Sequence, residues 1–262
     1  MNYNLKYILA LFNSSLLNYW FGRQFDNVHI NPSYFRQLPI YPANAATQAE
    51  IIALVEAILG HNAELNKLRA QGYTIKRRRD GSTHIAVPYD HLLDTLQQGN
   101  PAFAPYSFFD AEASGFFQLP DRCDRQTTVS RNVYIPDRAP ETVMLRHNRL
   151  WLEVPDADIR RYLQGYLSRP RWQGKTWDDL KNQALVPVSR TDLDSFFAAE
   201  AAQIEHIQEL LDAVAHLDAT IDERVLDLYQ ISDPADRERI LGSAPALAED
   251  ADDVSDAEEE AE

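Results

Sequence analysis

Lys76-Arg77-Arg78-Arg79 runs directly into Asp80-Gly81, and Arg146 and Arg149 bracket His147-Asn148. Cations at the tips of tight turns are placed to meet anions. Arg131, Arg169, Arg171 and Lys175 add positive charge to the same stretch, beside Tyr134, Trp172 and Trp177. An arginine pairs bidentately with a guanine edge, while lysine and arginine also hold phosphates. Taken singly, each of these residues is equally well explained as solvated turn charge; Lys76–Arg79 as a group favours an anionic polymer. A second constellation is Pro155-Asp156 followed by Asp179-Leu180-Lys181, the order in which two carboxylates hold Mg²⁺ and a lysine polarises water. That chemistry needs the acids to converge from a sheet, and the stretch Trp177–Gln183 reads as a helix, so no nuclease centre is expected. The histidines show no pairs at metal-ligand spacing, and no nucleophile or phosphate-loop motif occurs. Cys123 is the only cysteine, which excludes an intrachain disulfide. Its neighbours Asp121, Arg122 and Asp124 predict an exposed thiol in a reducing, cytoplasmic setting.

The net charge of −15 argues against a polyanion partner until its distribution is read. Residues 1–190 carry 22 Lys/Arg against 18 Asp/Glu, whereas residues 191–262 carry 3 against 22. The excess of acid is therefore confined to the C-terminal part, and phosphate contacts remain open to the rest. The apolar run from Tyr7 to Phe12 follows Lys6, but Asn13, Ser14 and Asn18 interrupt it and no small-residue cleavage site follows. It reads as an amphipathic helix rather than a signal peptide, and no later run is long enough to span a membrane.

Four regions position these groups. In residues 1–72, Leu5, Ile8, Leu9, Phe12, Leu16, Leu17 and Trp20 follow helical spacing up to Gly22. The prolines of Leu38-Pro39-Ile40-Tyr41-Pro42 then impose an extended segment. A long helix is predicted over 48–70, opened by a Thr47/Glu50 capping box, striped by Ile51, Val55, Ile58 and Leu65, and closed by Gly72. Residues 73–190 read as β-rich: a hairpin of 73–78 and 83–87 about Asp80-Gly81, and a second of 142–146 and 149–154 about His147-Asn148. Residues 100–120 read as ordered loop, 159–167 and 176–183 as short helices, and 185–188 as an extended return. Residues 191–247 hold a second long helix over 192–228, whose stripe includes Ile204, Ile207, Leu211, Val214, Ile221 and Val225, and a short helix with Asp233 as cap and Pro234 in its first turn. Residues 248–262 are acidic, almost without apolar side chains, and expected to be disordered.

Each long stripe is too narrow to be buried alone. Pairing the helices antiparallel, with Ile207 and Leu211 against Ile51, Val55 or Ile58, would bury both. The expected fold is α+β, a β-rich target-recognition head on an antiparallel pair of long helices; the alternative is two unrelated helices in one core.

The segment Tyr7-Ile8-Leu9-Ala10-Leu11-Phe12-Asn13-Ser14-Ser15-Leu16-Leu17-Asn18-Tyr19-Trp20 resembles a leucine-rich "LLNSxLLxxY" helix. Tyr34-Phe35-Arg36-Gln37-Leu38-Pro39-Ile40-Tyr41-Pro42 and Gln48-Ala49-Glu50-Ile51 follow it, as "LPI-P" and a glutamine-started helix follow there. Ile221-Asp222-Glu223-Arg224-Val225-Leu226-Asp227-Leu228-Tyr229 is similar to a closing "IDxxVYxLYGL". In this order the blocks resemble those of the TaqI-like C-terminal specificity domain of type II (type IIG-like) restriction–modification N6-adenine DNA methyltransferases and of the related halves of type I specificity subunits. Leu226 stands where an aromatic is usual and Gln230 where glycine is usual, and residues 73–190 match nothing in the pattern.

The resemblance implies that a SAM-dependent domain or subunit flips and methylates adenine, while this chain supplies sequence reading of double-stranded DNA. Asn31-Pro32-Ser33-Tyr34 has the outline of the Asn-Pro-Pro-Tyr motif that holds the target amine. Only thirty residues precede it, with no strand–glycine–helix unit for SAM. The chain is thus expected to carry neither catalytic motif nor cofactor, with SAM in the partner, and to act as a specificity subunit, split-gene product or fragment. The competing reading is a coiled-coil interaction scaffold that binds no DNA.

Overall fold

The computed structural model describes residues 3–25, 34, 36–78 and 81–242. It is a mixture of helices and small antiparallel sheets, the α+β class, and it divides into two compact units. One comprises Met1–Lys67 with Gln208–Glu262, the other Leu68–Ile207. The inserted unit is therefore longer than 73–190, since the boundaries fall within the two long helices. Among the described residues no helix is long and apolar enough to cross a membrane.

The first unit opens with two helices where the apolar spacing alone predicts one. α1 (Leu5–Asn13) and α2 (Ser15–Gln24) are separated by Ser14 in extended conformation. The Ser14 hydroxyl donates to the Leu11 carbonyl (2.7 Å) and accepts from the Leu17 N–H, so one buried side chain serves both helix ends. Gly22 lies inside α2 rather than ending it. α3 (Ala45–Ala70) begins earlier than Thr47: the Asn44 carboxamide accepts from the Thr47 N–H at 2.9 Å, and Asn44 is the cap. α3 ends at Gly72 (φ 93°), where Gly72 N–H donates to Arg69 and Tyr73 N–H to Leu68, the paired bonds that favour glycine at the left-handed position.

α8 (Arg190–Leu228) ends with the same bond pair. Gln230 N–H donates to Asp227 O and Ile231 N–H to Leu226 O, with Gln230 at φ 60°. α9 (Pro234–Leu241) follows, its cap Asp233 accepting from Ala235 N–H as the sequence predicts. One apolar cluster unites Tyr7, Ala10, Leu11 and Leu17 with Ile51 and Val55 of α3 and Ile221 and Val225 of α8; Ile40, Leu228 and Tyr229 pack against it. α8 thus meets Ile51 and Val55 through Ile221 and Val225, and Leu211, half-buried, is not among the residues of that cluster. The acidic residues from 243 onward, including the predicted disordered tail, lie outside the described residues.

The second unit, expected to be β-rich, is mixed: three two-stranded ribbons alternate with short helices. β1 (Thr74–Arg77) pairs with β2 (Thr83–Ala86) in the register Thr74↔Ala86 to Arg77↔Thr83, and Gly81 takes φ 84° in the turn. α4 (Tyr89–Gly99) arises in a stretch without a sequence reading and buries Tyr89, Leu92 and Leu93. Residues 100–120, expected as loop, contain β3 (Tyr106–Ser107) and α5 (Phe108–Ala113). Ser107 caps α5 by accepting from the Asp110 N–H. β4 (Thr142–Arg146) pairs with β5 (Leu150–Glu153), α6 (Ala157–Leu167) and α7 (Trp177–Gln183) fall near the predicted helices, and β6 (Leu185–Val186) pairs with β3. The core is aromatic: Tyr89, Tyr162, Tyr166, Phe196 and Trp172 form one run of ring contacts, and Phe108, Phe117 and Trp177 another.

Candidate nucleic-acid interface

The β4–β5 hairpin ends in a tight turn: Arg149 N–H donates to Arg146 O at 3.1 Å, and Asn148 takes φ 54°, a conformation asparagine tolerates better than most residues. Backbone hydrogen bonds bind further segments to this hairpin. Asp124 N–H donates to Arg149 O (2.9 Å), and Ser130 N–H donates to Leu145 O (2.8 Å). Val129 N–H donates to Lys175 O (2.9 Å), and Tyr134 and Met144 exchange both of their backbone bonds. Arg131, Arg146, Arg149 and Lys175, far apart in sequence, are thereby brought to one end of one hairpin. Arg125 joins them through its neighbour Asp124, and sequence reading does not single it out. Arg125, Arg131, Arg146 and Arg149 are exposed, and Lys175 is half-buried.

No carboxylate of the described residues forms an ion pair with these four arginines. The nearby acid is Asp124, whose carboxylate accepts from Thr127 Oγ1 (2.7 Å) and Gln126 N–H (3.0 Å). Those hydrogen bonds, followed by the field of Arg149, hold its pKa below the ordinary carboxylate value. At the turn, the Tyr134 hydroxyl lies 2.8 Å from His147 Nδ1 and fixes the imidazole.

A second cationic surface is the β1–β2 hairpin. Lys76 is paired with His84 and Arg77 with Thr83, so Lys76 and His84 share a face. Arg78 Nη2 approaches His84 Nδ1 at 3.4 Å. Lys76, Arg77 and Arg78 are exposed; Arg79 and Asp80 lie outside the described residues. Arg169, half-buried, and Arg171, exposed, both make contacts within the protein. Arg169 lies over the Tyr89 ring at 4.7 Å with its Nε buried; Arg171 is 2.7 Å from Asp90 and over the Trp172 ring.

The acids of the nuclease-like pattern serve helix starts, Asp156 as the cap of α6 and Asp179 as the capping-box partner of Thr176. Asp156 accepts from the N–H groups of Asp158 and Ile159 at the start of α6, and Asp179 accepts from Thr176 N–H and Oγ1 at the start of α7. Among the described residues no cluster of His, Cys, Asp and Glu is arranged to hold a metal. Asn31, Pro32 and Ser33 lie outside the described residues. Cys123 is buried, contrary to the expectation from its charged neighbours. Its Sγ donates to the Trp151 carbonyl, and burial raises its pKa, which is the opposite of an activated thiol. A cleft of about 570 Å³ beside β5 has mixed charge, with Arg122, Glu141 and Glu153 in its wall.

No protein-family model, curated protein or solved structure matches the chain, so the likeness to specificity domains rests on the residues themselves.

Proposed function

We propose that the chain is the DNA sequence-recognition region of a restriction–modification adenine methyltransferase, acting in the cytoplasm with a SAM-dependent domain or subunit. In this reading Leu68–Ile207 is the target-recognition module, and the helical unit is its carrier and docks the methyltransferase. One observation carries the reading: the separate blocks that resemble specificity domains meet in one core. Tyr7 of the first block donates from its hydroxyl to the Tyr41 carbonyl (2.7 Å), and Tyr229 of the last block donates to the Pro39 carbonyl and accepts from Tyr41 N–H (3.1 Å). Leucine-rich blocks are weak evidence one by one, but their mutual packing is what a shared module requires. The departure at Gln230 fits too, since that residue occupies the left-handed position that glycine takes most easily.

The test is selection of duplexes from a randomised pool by the chain, alone and with the SAM-dependent methyltransferase that this reading requires as its partner. One adenine-containing sequence should be enriched and then methylated. A pool left unenriched with the partner present would defeat the reading and favour the scaffold alternative.

A further inference from the structure

The hairpin end assembled by β4 and β5 has a property the sequence does not display: backbone hydrogen bonds gather arginines that are separated along the chain, and among the described residues none of these is ion-paired. Arg122, Arg161, Arg171, Arg190, Arg237 and Arg239 each lie beside an Asp or Glu. Arg125, Arg131, Arg146 and Arg149 form no such ion pair among the described residues; the Asp124 carboxylate, which interacts with Arg149 through its field, takes its hydrogen bonds from Thr127 and Gln126. Like charges gathered this way repel one another, and a polyanion relieves that repulsion while releasing its own counterions.

We infer that this end of the hairpin, Arg125 included, is a sequence-independent anchor for the phosphodiester backbone of duplex DNA. The inference rests on the DNA reading above and assigns a separate role within it. A single base pair offers too few acceptors for four guanidiniums, whereas phosphates recur along both strands at a spacing of several ångströms. Guanidinium also matches phosphate bidentately. The backbone bonds from Asp124, Ser130 and Val129 fix the supporting segments before any ligand arrives, which reduces the ordering cost of binding.

The experiment is a salt titration of duplex binding by the full chain with its methyltransferase partner. It compares the native protein with R125A/R131A/R149A, R125Q/R131Q/R149Q and, as comparator, K76A/R77A/R78A, each checked for an unchanged thermal midpoint. The anchor variants should weaken binding to selected and random duplexes by equal factors. They should also flatten the plot of log affinity against log salt by about 0.9 for each phosphate no longer neutralised. An unchanged slope, or a weakening confined to the selected duplex, overturns the anchor while native binding keeps the DNA reading standing. Absence of duplex binding by the native complex overturns both.

Discussion

Ser15 and Asp222, 207 residues apart, are joined by two hydrogen bonds to one carboxylate: Ser15 N–H donates to Oδ1 at 2.7 Å and Ser15 Oγ–H to Oδ2 at 2.6 Å. Ser15 is the first residue of α2, so a side chain of α8 satisfies a helix-start donor and places negative charge at the positive end of the α2 dipole. Bonds of this kind to a charged acceptor contribute about 1.5–3 kcal/mol. Asp222→Ala, which removes both bonds, should therefore lower the denaturation free energy by at least that amount, and Ser15→Ala by less, since its backbone N–H remains. A urea midpoint unchanged in Asp222→Ala would show that the carboxylate does not hold the two helices together.

Asp218 lies one turn before Asp222 on α8. Partial desolvation of this otherwise exposed side chain, and secondarily the Asp222 charge, raise its pKa above the ordinary carboxylate value, an effect that solvent screening keeps small. The folded chain therefore binds this proton more tightly than the unfolded chain. Stability from this group is present at pH below the unfolded value, about 4, and is lost as pH rises through the raised folded value. Asp218→Asn should remove that component, leaving the variant slightly more stable than the parent at neutral pH with the difference vanishing in acid. Parallel stability–pH curves for the two proteins would contradict the assignment.

The two long helices close with the same pair of backbone bonds but different residues, Gly72 after α3 and Gln230 after α8. A β-carbon at positive φ is strained by about 1–2 kcal/mol, and glycine returns part of that gain in unfolded-state entropy. Gln230→Gly should stabilise the chain by about 0.5–1 kcal/mol, and Gly72→Ala should destabilise it by a similar amount. Calorimetric midpoints moving in the same direction in both variants would rule out the shared closing geometry.

The long helices were legible because their signals are local: a periodic stripe, Gly72 after one, and Asp233-Pro234 after the other. Their register was not. The α8 stripe is so long that Ile207 and Leu211 offer the same pattern as Ile221 and Val225, and only the cluster around Tyr7 and Leu11 selects the latter. The break at Ser14 was hidden because apolar spacing runs through it unbroken. In the inserted unit, both hairpins were legible from their turn residues. β3 and α5 were not, because they are short and β3 exists by pairing with β6, well separated along the chain. The neighbours of Cys123 mislead; one residue can turn inward between charged ones when its partner is a distant carbonyl, here that of Trp151. The same limit applies to the interface: Arg146 and Arg149 announce themselves at a turn, while Arg125 and Lys175 reach it only through backbone bonds.

Gly165 reports on the packing of the inserted unit. It sits in α6 between Tyr162 and Tyr166, and a β-carbon there would lie 2.5 Å from the Tyr89 hydroxyl oxygen and 3.0 Å from its ring. Tyr89 cannot swing away cheaply: it is buried, stacks on Tyr162 and Tyr166, and meets Phe196 at 4.7 Å. Helix propensity alone predicts that Gly165→Ala gains about 1 kcal/mol. The overlap acts in the other direction, and overpacking a rigid core costs about 1–3 kcal/mol, so a net loss is expected. Tyr89→Phe removes the atom in closest conflict, so the pair G165A/Y89F should lose less than the sum of its single variants, the signature of two residues in contact. Urea denaturation of the four proteins decides it: a Gly165→Ala midpoint at or above the parent's would mean that Tyr89 does not occupy the space beside α6.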